Sequence, residues 1–505
     1  MSVVRQRVFR NAYRDSVELM RIASEIERLP GVIRAGLVMC TPANLAIVAE
    51  AGLGKGLDPG AGPNDMVVAL AANDEAAAEA AFERAASLMR GAAAEAAGEG
   101  QRFVPTTISE AVAELPEANL ALISTPGTYA AAEALKALKR GMHVFLFSDN
   151  VPVEDEIELK QLGVRKGLLV MGPDCGTAIL DGVPLGFANA VRRGKVGLVG
   201  ASGTGLQQVT CLLDAFGAGV SQAIGVGGRD LHEEVGGLMM LAGLERLVAD
   251  QETDVVVLIS KPPAPSVAAR VLEAASAASK PVVVNFLGGD AETIRAAGAH
   301  PATTFEEAAQ TAAGLSLGGT PTPLEDYAAE PGELAAGLAA GQERIAGLYS
   351  GGSLASEAKV VLKGLLGADA AAGQSIVDLG DDEYTVGRPH PMIDPRLRSE
   401  KIEEAGYDPL VAVILLDIVL GYASHPDPAG ALIPAIEAAR SAAAAGVRGL
   451  AVIASVCGTP NDPQGLAGQR AILADAGVHL AASNARAARL AGLVVQHAAR
   501  REVHA

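Results

Sequence analysis

Lys195-Val196-Gly197-Leu198-Val199-Gly200-Ala201-Ser202-Gly203-Thr204-Gly205 decides the fold class. A short apolar run enters a glycine-rich turn, and residues 204–217 continue from it with helical apolar spacing. An apolar strand feeding a helix through glycines predicts a parallel sheet covered on both faces. The pattern returns at Arg344-Ile345-Ala346-Gly347-Leu348-Tyr349-Ser350-Gly351-Gly352-Ser353-Leu354. Two units that open alike predict a tandem pseudo-repeat.

Outward from these turns the rhythm persists. Strands are predicted at 221–228, 254–260 and 281–288 after the first turn, and at 375–380, 410–420, 449–456 and 478–483 after the second. Upstream, residues 119–125, 143–148 and 168–177 read as strands separated by helices at 129–141 and 153–167. Residues 3–9, 32–39 and 65–72 read as strands of a small two-layer domain. Its helices are predicted at 16–29, at 41–52 with Thr41 as N-cap, and at 73–89 capped by Asn73. The alanine-rich stretch 92–102 and the Gly/Pro-rich stretch 318–337 read as linkers. The fold class is therefore α/β: several parallel-sheet, Rossmann-like or flavodoxin-like domains and a small ferredoxin-like domain. The domains expected are 1–100, 103–192, 193–318 and 338–505.

Composition narrows function. The formal net charge of −19 argues against nucleic-acid and anionic-membrane partners. Trp is absent and aromatics are 3%, too few for base-stacking platforms. The 4 cysteines lie far apart with no CxxC spacing, as in a reduced cytoplasmic protein. The first 15 residues lack a signal-peptide apolar run, and no uncharged run approaches the roughly 20 residues of a spanning helix.

The chemistry-bearing residues sit in turns. In Ser202, Gly203, Thr204 and Gly205 the glycines let backbone N–H groups approach an anion, and the helix dipole favours it. Gly351, Gly352 and Ser353 are placed identically. A tight turn with an ordinary Ser/Thr cap accounts for either one alone. Two such helix ends aimed at one anion would double the favourable dipole. Cys175, Gly176 and Thr177 lie at a strand end and read either as a core segment or as a ligand-facing turn. The polar run 378–395 reads as a functional loop or as a solvated one. In it Arg388 could fork onto a carboxylate or phosphate, His390 could exchange a proton, and the carboxylates could hold a divalent metal, whose presence the sequence leaves open. Arg229 could reach an anion or pair with Asp230 or Glu233. His300 is a further candidate.

In this order the motifs resemble the succinyl-CoA synthetase superfamily. GPDCGT at 172–177 looks like the end of its CoA-binding half-domain, GASGTG at 200–205 and GGRDL at 227–231 like its α-subunit ligase domain, and YSGGSLASEA at 349–358 like its β-subunit carboxyl-terminal domain. The whole chain more closely resembles the FdrA family, through FSDNVPVEDEIELK (147–160), GLLVMGPDCGT (167–177), SKPPA (260–264) and DLGDDEYTVGRPHPMIDP (378–395). In the synthetases two helices face each other across a phosphorylated histidine. Carried over, their N-termini are the turns at Ser202 and Ser353. This chain departs from the pattern: the CoA loop and the ATP-grasp domain are missing, so neither CoA nor ATP is expected as a cofactor. Lys261 stands where a glutamate is expected to hold the phosphohistidine, and His300 lies a few residues off the histidine position.

The resemblance implies a subunit of a carbamoyltransferase acting with other subunits, or as a homo-oligomer, in purine-ureide (allantoin) catabolism. The substrates would be carbamoyl phosphate or phosphate and an oxamate-like carboxylate. Lys261, Arg388 and His390 are then the catalytic candidates, and Arg229, Cys175, Gly176 and Thr177 the substrate-binding ones. An NDP-forming acyl-CoA synthetase subunit and a non-catalytic regulatory or scaffold subunit are the alternatives.

Overall fold

The computed structural model describes residues 3–10, 12, 16–41, 44–45, 48–49, 52–54, 60–62, 64–97, 105–324, 330–385 and 389–503. They divide into two units, one of residues 1–106 with 382–389 and one of 107–381 with 390–505.

In the first unit the strand Met66–Ala72 lies between Val3–Phe9 and Val32–Met39 and runs antiparallel to both. This is the split βαβ arrangement of ferredoxin-like domains. Met66, Val68 and Leu70 pack against Ile22, Ile26 and Phe82 of the helices Ser16–Glu27 and Glu75–Ala97. Val67 and Ala69 cover Cys40, Val48 and Leu53 on the other face. Burial on both faces is why this strand is apolar without alternation. The cap of the second helix is Asp74, whose side chain accepts from Ala77 N at 2.9 Å, one residue beyond the expected Asn73. The helix continues through Ala97 where a linker was expected, because alanine is the best helix former. Much of the expected helix 41–52 lies outside the described residues.

The second unit holds three sheets. Leu120–Ile123, His143–Leu146 and Val170–Met171 form a small parallel sheet in chain order. The largest sheet has seven strands. Its parallel part, taken in chain order, is Arg193–Ala201, Val220–Gly225, Val255–Ser260, Val282–Phe286 and His300–Pro301, arranged in space as second, first, third, fourth, fifth. The last sheet is Arg344–Tyr349, Ser375–Asp378, Val411–Val419, Ala451–Cys457 and His479–Ala481, parallel throughout and in the same 2-1-3-4-5 order. The repeat expected from the two turns is thus a repeat of flavodoxin-like topology, and each turn follows the first parallel strand of its sheet, at the point where strand order reverses.

Two differences from the sequence reading concern segments between domains. Thr177–Leu180 and Val183–Gly186 form an antiparallel hairpin that pairs with Val220–Gly225, so it joins the seven-stranded sheet although it precedes the boundary expected at 192. Asp181 and Gly182 both have positive φ (50° and 83°), the conformation two-residue hairpin turns require. Within the stretch 318–337, Pro331–Ala336 is a helix; residues 325–329 lie outside the described ones.

One apolar core runs between the two large sheets. It joins Leu206, Val209 and Leu213 of the helix Gly203–Ala215 to Leu354, Ala358 and Leu362 of the helix Gly352–Leu366. Polar contacts lock the same interface: Asn189 donates to Asp462 at 2.8 Å and to Leu420 O at 3.0 Å, and Gln207 donates to Asn189 at 3.1 Å. The halves are fixed against each other, which gives their helix ends a defined separation.

Candidate functional site

Ser202 ends the strand Arg193–Ala201 in an extended conformation (φ −164°, ψ 102°) and caps the helix that follows, its Oγ accepting from Gly205 N at 3.1 Å. The same hydroxyl donates to Ser353 Oγ at 2.6 Å. Ser353 is the second residue of the helix Gly352–Leu366, whose N-cap is Gly351 with no side-chain cap bond. Ser353 is therefore no ordinary cap; its hydroxyl faces the other helix. The N–H groups of Gly203, Thr204, Gly352, Ser353 and Leu354 have no acceptor in their own helices or elsewhere among the described residues. Two positive helix ends converge on the serine pair, each equivalent to roughly half a unit charge.

Glycine makes the approach possible. A Cβ on Gly351 would lie 2.8 Å from Thr204 Cγ2 and 2.9 Å from its Oγ1. A Cβ on Gly203 would lie 3.6 Å from Thr177 Oγ1. Thr177 is 1% exposed and that hydroxyl has no hydrogen-bond partner among the described residues, so an unused polar group points at the first helical residue.

Asp417, buried in the strand Val411–Val419, holds the second turn in place. Its carboxylate accepts from Ser350 N at 2.9 Å, Gly351 N at 2.8 Å and Ser350 Oγ at 3.1 Å. Arg398 pairs with it at 2.7 Å and also donates to Leu348 O and Asp417 O, at 2.9 and 2.6 Å. The charge is compensated, and the turn is anchored from the third strand of its sheet.

Lys261 and Asp378 form the rim. Lys261 follows the third strand of the seven-stranded sheet and Asp378 ends the second strand of the five-stranded one. A Cβ on Gly352 would lie 2.0 Å from Asp378 Oδ2 and 3.3 Å from Lys261 Nζ, so both groups overlie the first residue of that helix. Lys261 is exposed and makes no ion pair or side-chain hydrogen bond among the described residues. Asp378 Oδ1 accepts from Gly380 N at 2.9 Å. Burial pushes the Asp378 carboxyl up to about 6, against the lowering effects of that hydrogen bond and of Lys261.

His390 is brought to the same place. Its Nε2 lies 2.6 Å from where a Gly380 Cβ would stand, beside Ser350 O. Burial lowers its pKa to about 4, so the ring is neutral at pH 7, and its Nδ1 accepts from Met392 N at 3.2 Å, which leaves the proton on Nε2. The run around it is not wholly solvated, because Leu379 and Met392 are core residues. Arg388 lies outside the described residues. No group of three or more His, Cys, Asp or Glu able to hold a metal exists among the described residues.

Other candidates lie elsewhere. Cys175 is 2% exposed and burial pushes its thiol up to about 12, which corrects the ligand-facing reading: it is a packing residue against Gly225. Its neighbour Gly176 approaches Gly203, within 4.0 Å of a Cβ there. Arg229 pairs with buried Glu156 at 2.9 Å and donates to Val151 O at 2.7 Å, in place of the expected Asp230 or Glu233. Asp230 is taken by buried Lys160, at 2.8 Å. His300 pairs with Val283, three residues before Phe286, which itself lies opposite Ser260. Its backbone stands roughly 10 Å short of the edge from which Lys261 projects, a poor position for a phosphohistidine between the turns.

Asp417, Arg398 and Glu357, a buried carboxylate of the helix Gly352–Leu366 that accepts from Phe305 N and Asn484, were not among the sequence candidates. Asp417 carried a signal: it is the single charge in a nine-residue strand that is otherwise apolar. Arg398 sits in a highly charged helix and Glu357 in an ordinary amphipathic one, where nothing distinguishes a buried charge from a solvated one.

Family models match three parts of the chain. A CoA-ligase family model matches residues 348–494, a CoA-binding domain model 191–288, and a model described as "AllF, heavy metal-associated domain" 1–105. The uncharacterized protein YahF of Escherichia coli K12 is 42% identical over 500 residues, 95% of this chain and 96% of YahF. The chain belongs to the FdrA family of the succinyl-CoA synthetase superfamily. FdrA-type similarity to the parent superfamily is narrower. The ADP-forming succinate–CoA ligase α subunit of Methanothermobacter thermautotrophicus is 30% identical over 168 residues, 32% of this chain and 56% of that one. Among solved structures, the dinucleotide-forming acetyl-coenzyme A synthetase 1 of Ca. Korarchaeum cryptofilum is 16% identical, covering 80% of this chain and 88% of that one, with a TM-score of 0.36.

Proposed function

We propose that this FdrA-type chain is the phosphate-handling subunit of a cytoplasmic carbamoyltransferase of the oxamate/oxalurate type. It would work with other subunits in purine-ureide (allantoin) breakdown. The observation that carries this reading is the convergence of two helix N-termini on the Ser202–Ser353 pair, with N–H groups of Gly203, Thr204, Gly352, Ser353 and Leu354 that have no acceptor among the described residues. An anion there would receive backbone N–H groups from both helices and relieve their mutual repulsion. Lys261, a cation where the superfamily pattern has a glutamate, suits a free or leaving phosphate better than a phosphohistidine.

In the reaction, the amide nitrogen of oxamate attacks the carbamoyl carbon of carbamoyl phosphate. The carbon–oxygen bond to phosphate breaks, and oxalurate and phosphate are released. Charge grows on the departing phosphate, and helix ends fixed before the reaction begins stabilise it without reorganisation. Holding both reactants in one cleft supplies much of the remaining acceleration. The test is phosphorolysis: the chain assembled with its partner subunits should form carbamoyl phosphate from oxalurate and phosphate. No product from any of several ureido acids would refute the reading.

The match of the CoA-ligase model to residues 348–494 favours a second reading, an acyl-CoA synthetase subunit acting through an acyl phosphate. Acid-labile phosphate on His300, lost in His300→Ala, would select it.

A further inference from the structure

The proposed reaction moves a proton as well as a phosphate. The attacking amide nitrogen bears a hydrogen that must leave, and the departing phosphate gains one to become hydrogen phosphate. Neither serine suits this task, because Ser202 and Ser353 already share one hydrogen bond and Ser202 also caps its helix. His390 is half-buried, and its one basic nitrogen already accepts from Met392 N.

Asp378 is differently placed. It ends the second strand of the five-stranded sheet, and its Oδ1 is fixed by Gly380 N at 2.9 Å. Its Oδ2 has no hydrogen-bond partner among the described residues and lies against Gly352, 2.0 Å from where a Cβ would stand. That residue is the first of the helix whose free N–H groups face the anion position. Lys261 Nζ approaches the same point, at 3.3 Å. An anchored carboxylate with one open oxygen, beside a cation and against a phosphate-seeking helix end, is the constellation a proton shuttle requires.

The geometry points to Asp378 as the proton-transfer group of this site: Oδ2 takes the proton from the attacking amide nitrogen as the carbon–nitrogen bond forms and hands it to the departing phosphate oxygen. Asp378 ends each turnover as it began, and the products are oxalurate and hydrogen phosphate, so atoms and charge balance. This rests on the carbamoyl-transfer reading and narrows its nucleophile to a nitrogen that carries hydrogen. The raised pKa near 6 agrees, because the group is ionised at pH 7 yet basic enough to accept a proton. The charged groups that set it are Lys261, on the loop after the third strand of the other sheet, Asp381, on its own turn, and Asp417, on the neighbouring part of its sheet. His390, neutral at pH 7, faces it across Gly380.

The experiment pairs Asp378→Asn with the wild type, assembled with partner subunits, and reads two quantities: carbamoyl transfer from carbamoyl phosphate to oxamate across pH 5–8, and inorganic phosphate binding by phosphorus NMR. In Asp378→Asn the side-chain oxygen can still accept from Gly380, so the turn is kept. Transfer should fall by roughly 10²–10⁴-fold while phosphate affinity stays within about threefold or rises, because a negative charge has gone. The wild-type kcat/KM should decline below a pKa near 6, and the variant's residual rate should lack that limb. A variant with wild-type rate and phosphate bound would overturn the role of Asp378 and leave the proposed function standing. Loss of phosphate binding together with rate would make Asp378 a structural support and overturn the inference. A wild-type complex that binds phosphate but transfers no carbamoyl group would overturn both. Should Asp378→Asn fail to fold, Asp378→Glu and the wild-type pH limb decide: an unshifted limb in the glutamate variant contradicts the role.

Discussion

Ser202 Oγ donates to Ser353 Oγ across 2.6 Å, joining the amino ends of two helices that belong to two different sheets. Like-signed helix ends repel, so the pair survives because the core behind it and the Asn189–Asp462 contacts hold the sheets together. Ser202→Ala removes a cap as well as a bridge and should cost about 1 kcal/mol. Ser353→Ala removes only the bridge and should cost less. In phosphate titrations by calorimetry the two changes should be non-additive, since each hydroxyl loses its meaning without the other.

Lys261→Ala should weaken phosphate binding by about tenfold with little change in melting temperature, because the ammonium is exposed and makes no ion pair among the described residues. Lys261→Glu should abolish binding at moderate salt. Equal phosphate affinity in Lys261→Glu and wild type would remove the cation from the site.

Gly352→Ala tests the closeness of Asp378 to the helix. The new methyl would meet Oδ2 at 2.0 Å, and the carboxylate would give up its bond from Gly380 N and swing away rather than unfold the chain. Soluble, folded protein with carbamoyl transfer reduced by roughly 10²-fold or more is expected. Circular dichroism and turnover measured on one preparation check both halves.

Asp417→Asn should be the most damaging single change near the site. It leaves the Arg398 guanidinium buried without its countercharge, which costs about 3–5 kcal/mol. It also loosens Ser350 and Gly351. Thermal denaturation should show a large loss, and replacing Arg398 as well with a neutral residue of similar size should recover part of it.

Glu357 gives the unit containing the site a pH dependence. It is fully buried, accepting from Phe305 N at 2.6 Å and from Asn484 at 2.8 Å, and burial raises its carboxyl from 4.5 to about 7. A carboxyl with a raised folded pKa binds more protons folded than unfolded between those values, so stability falls as pH rises through that window. Asp378, raised from 3.8 to about 6, acts in the same direction. The Glu357 share is on the order of 3 kcal/mol. The melting temperature of Glu357→Gln should therefore drop less than that of wild type between pH 4.5 and 7; equal slopes would contradict the assignment.

The turns themselves were legible in the sequence because glycine, serine and the preceding apolar run are local signals. The repeat was legible for the same reason, whereas the 2-1-3-4-5 strand order of each sheet was not, because it depends on which strands pair at long range. What stayed hidden depends on distant pairing. Asp378 and Lys261 come from two different sheets, and only the docking of the halves shows that both overlie Gly352. The hairpin at 177–186 did carry a local sign, the Asp181-Gly182 pair, but its pairing with Val220–Gly225 depends on a long-range contact. Cys175 sits at the end of a strand yet packs inward, and Arg229 reaches back to Glu156 on a preceding helix, contacts that composition cannot order.

The central claim is that both helix ends serve a single anion, and a crystal structure of the chain with inorganic phosphate tests it most directly. One phosphate should bind between the turns, within hydrogen-bond distance of N–H groups from Gly203 or Thr204 and from Gly352 or Ser353, with Lys261 alongside and the Ser202–Ser353 bond opened or shared. Phosphate bound separately at each turn, or no phosphate at saturating concentration with the serine pair intact, would contradict it.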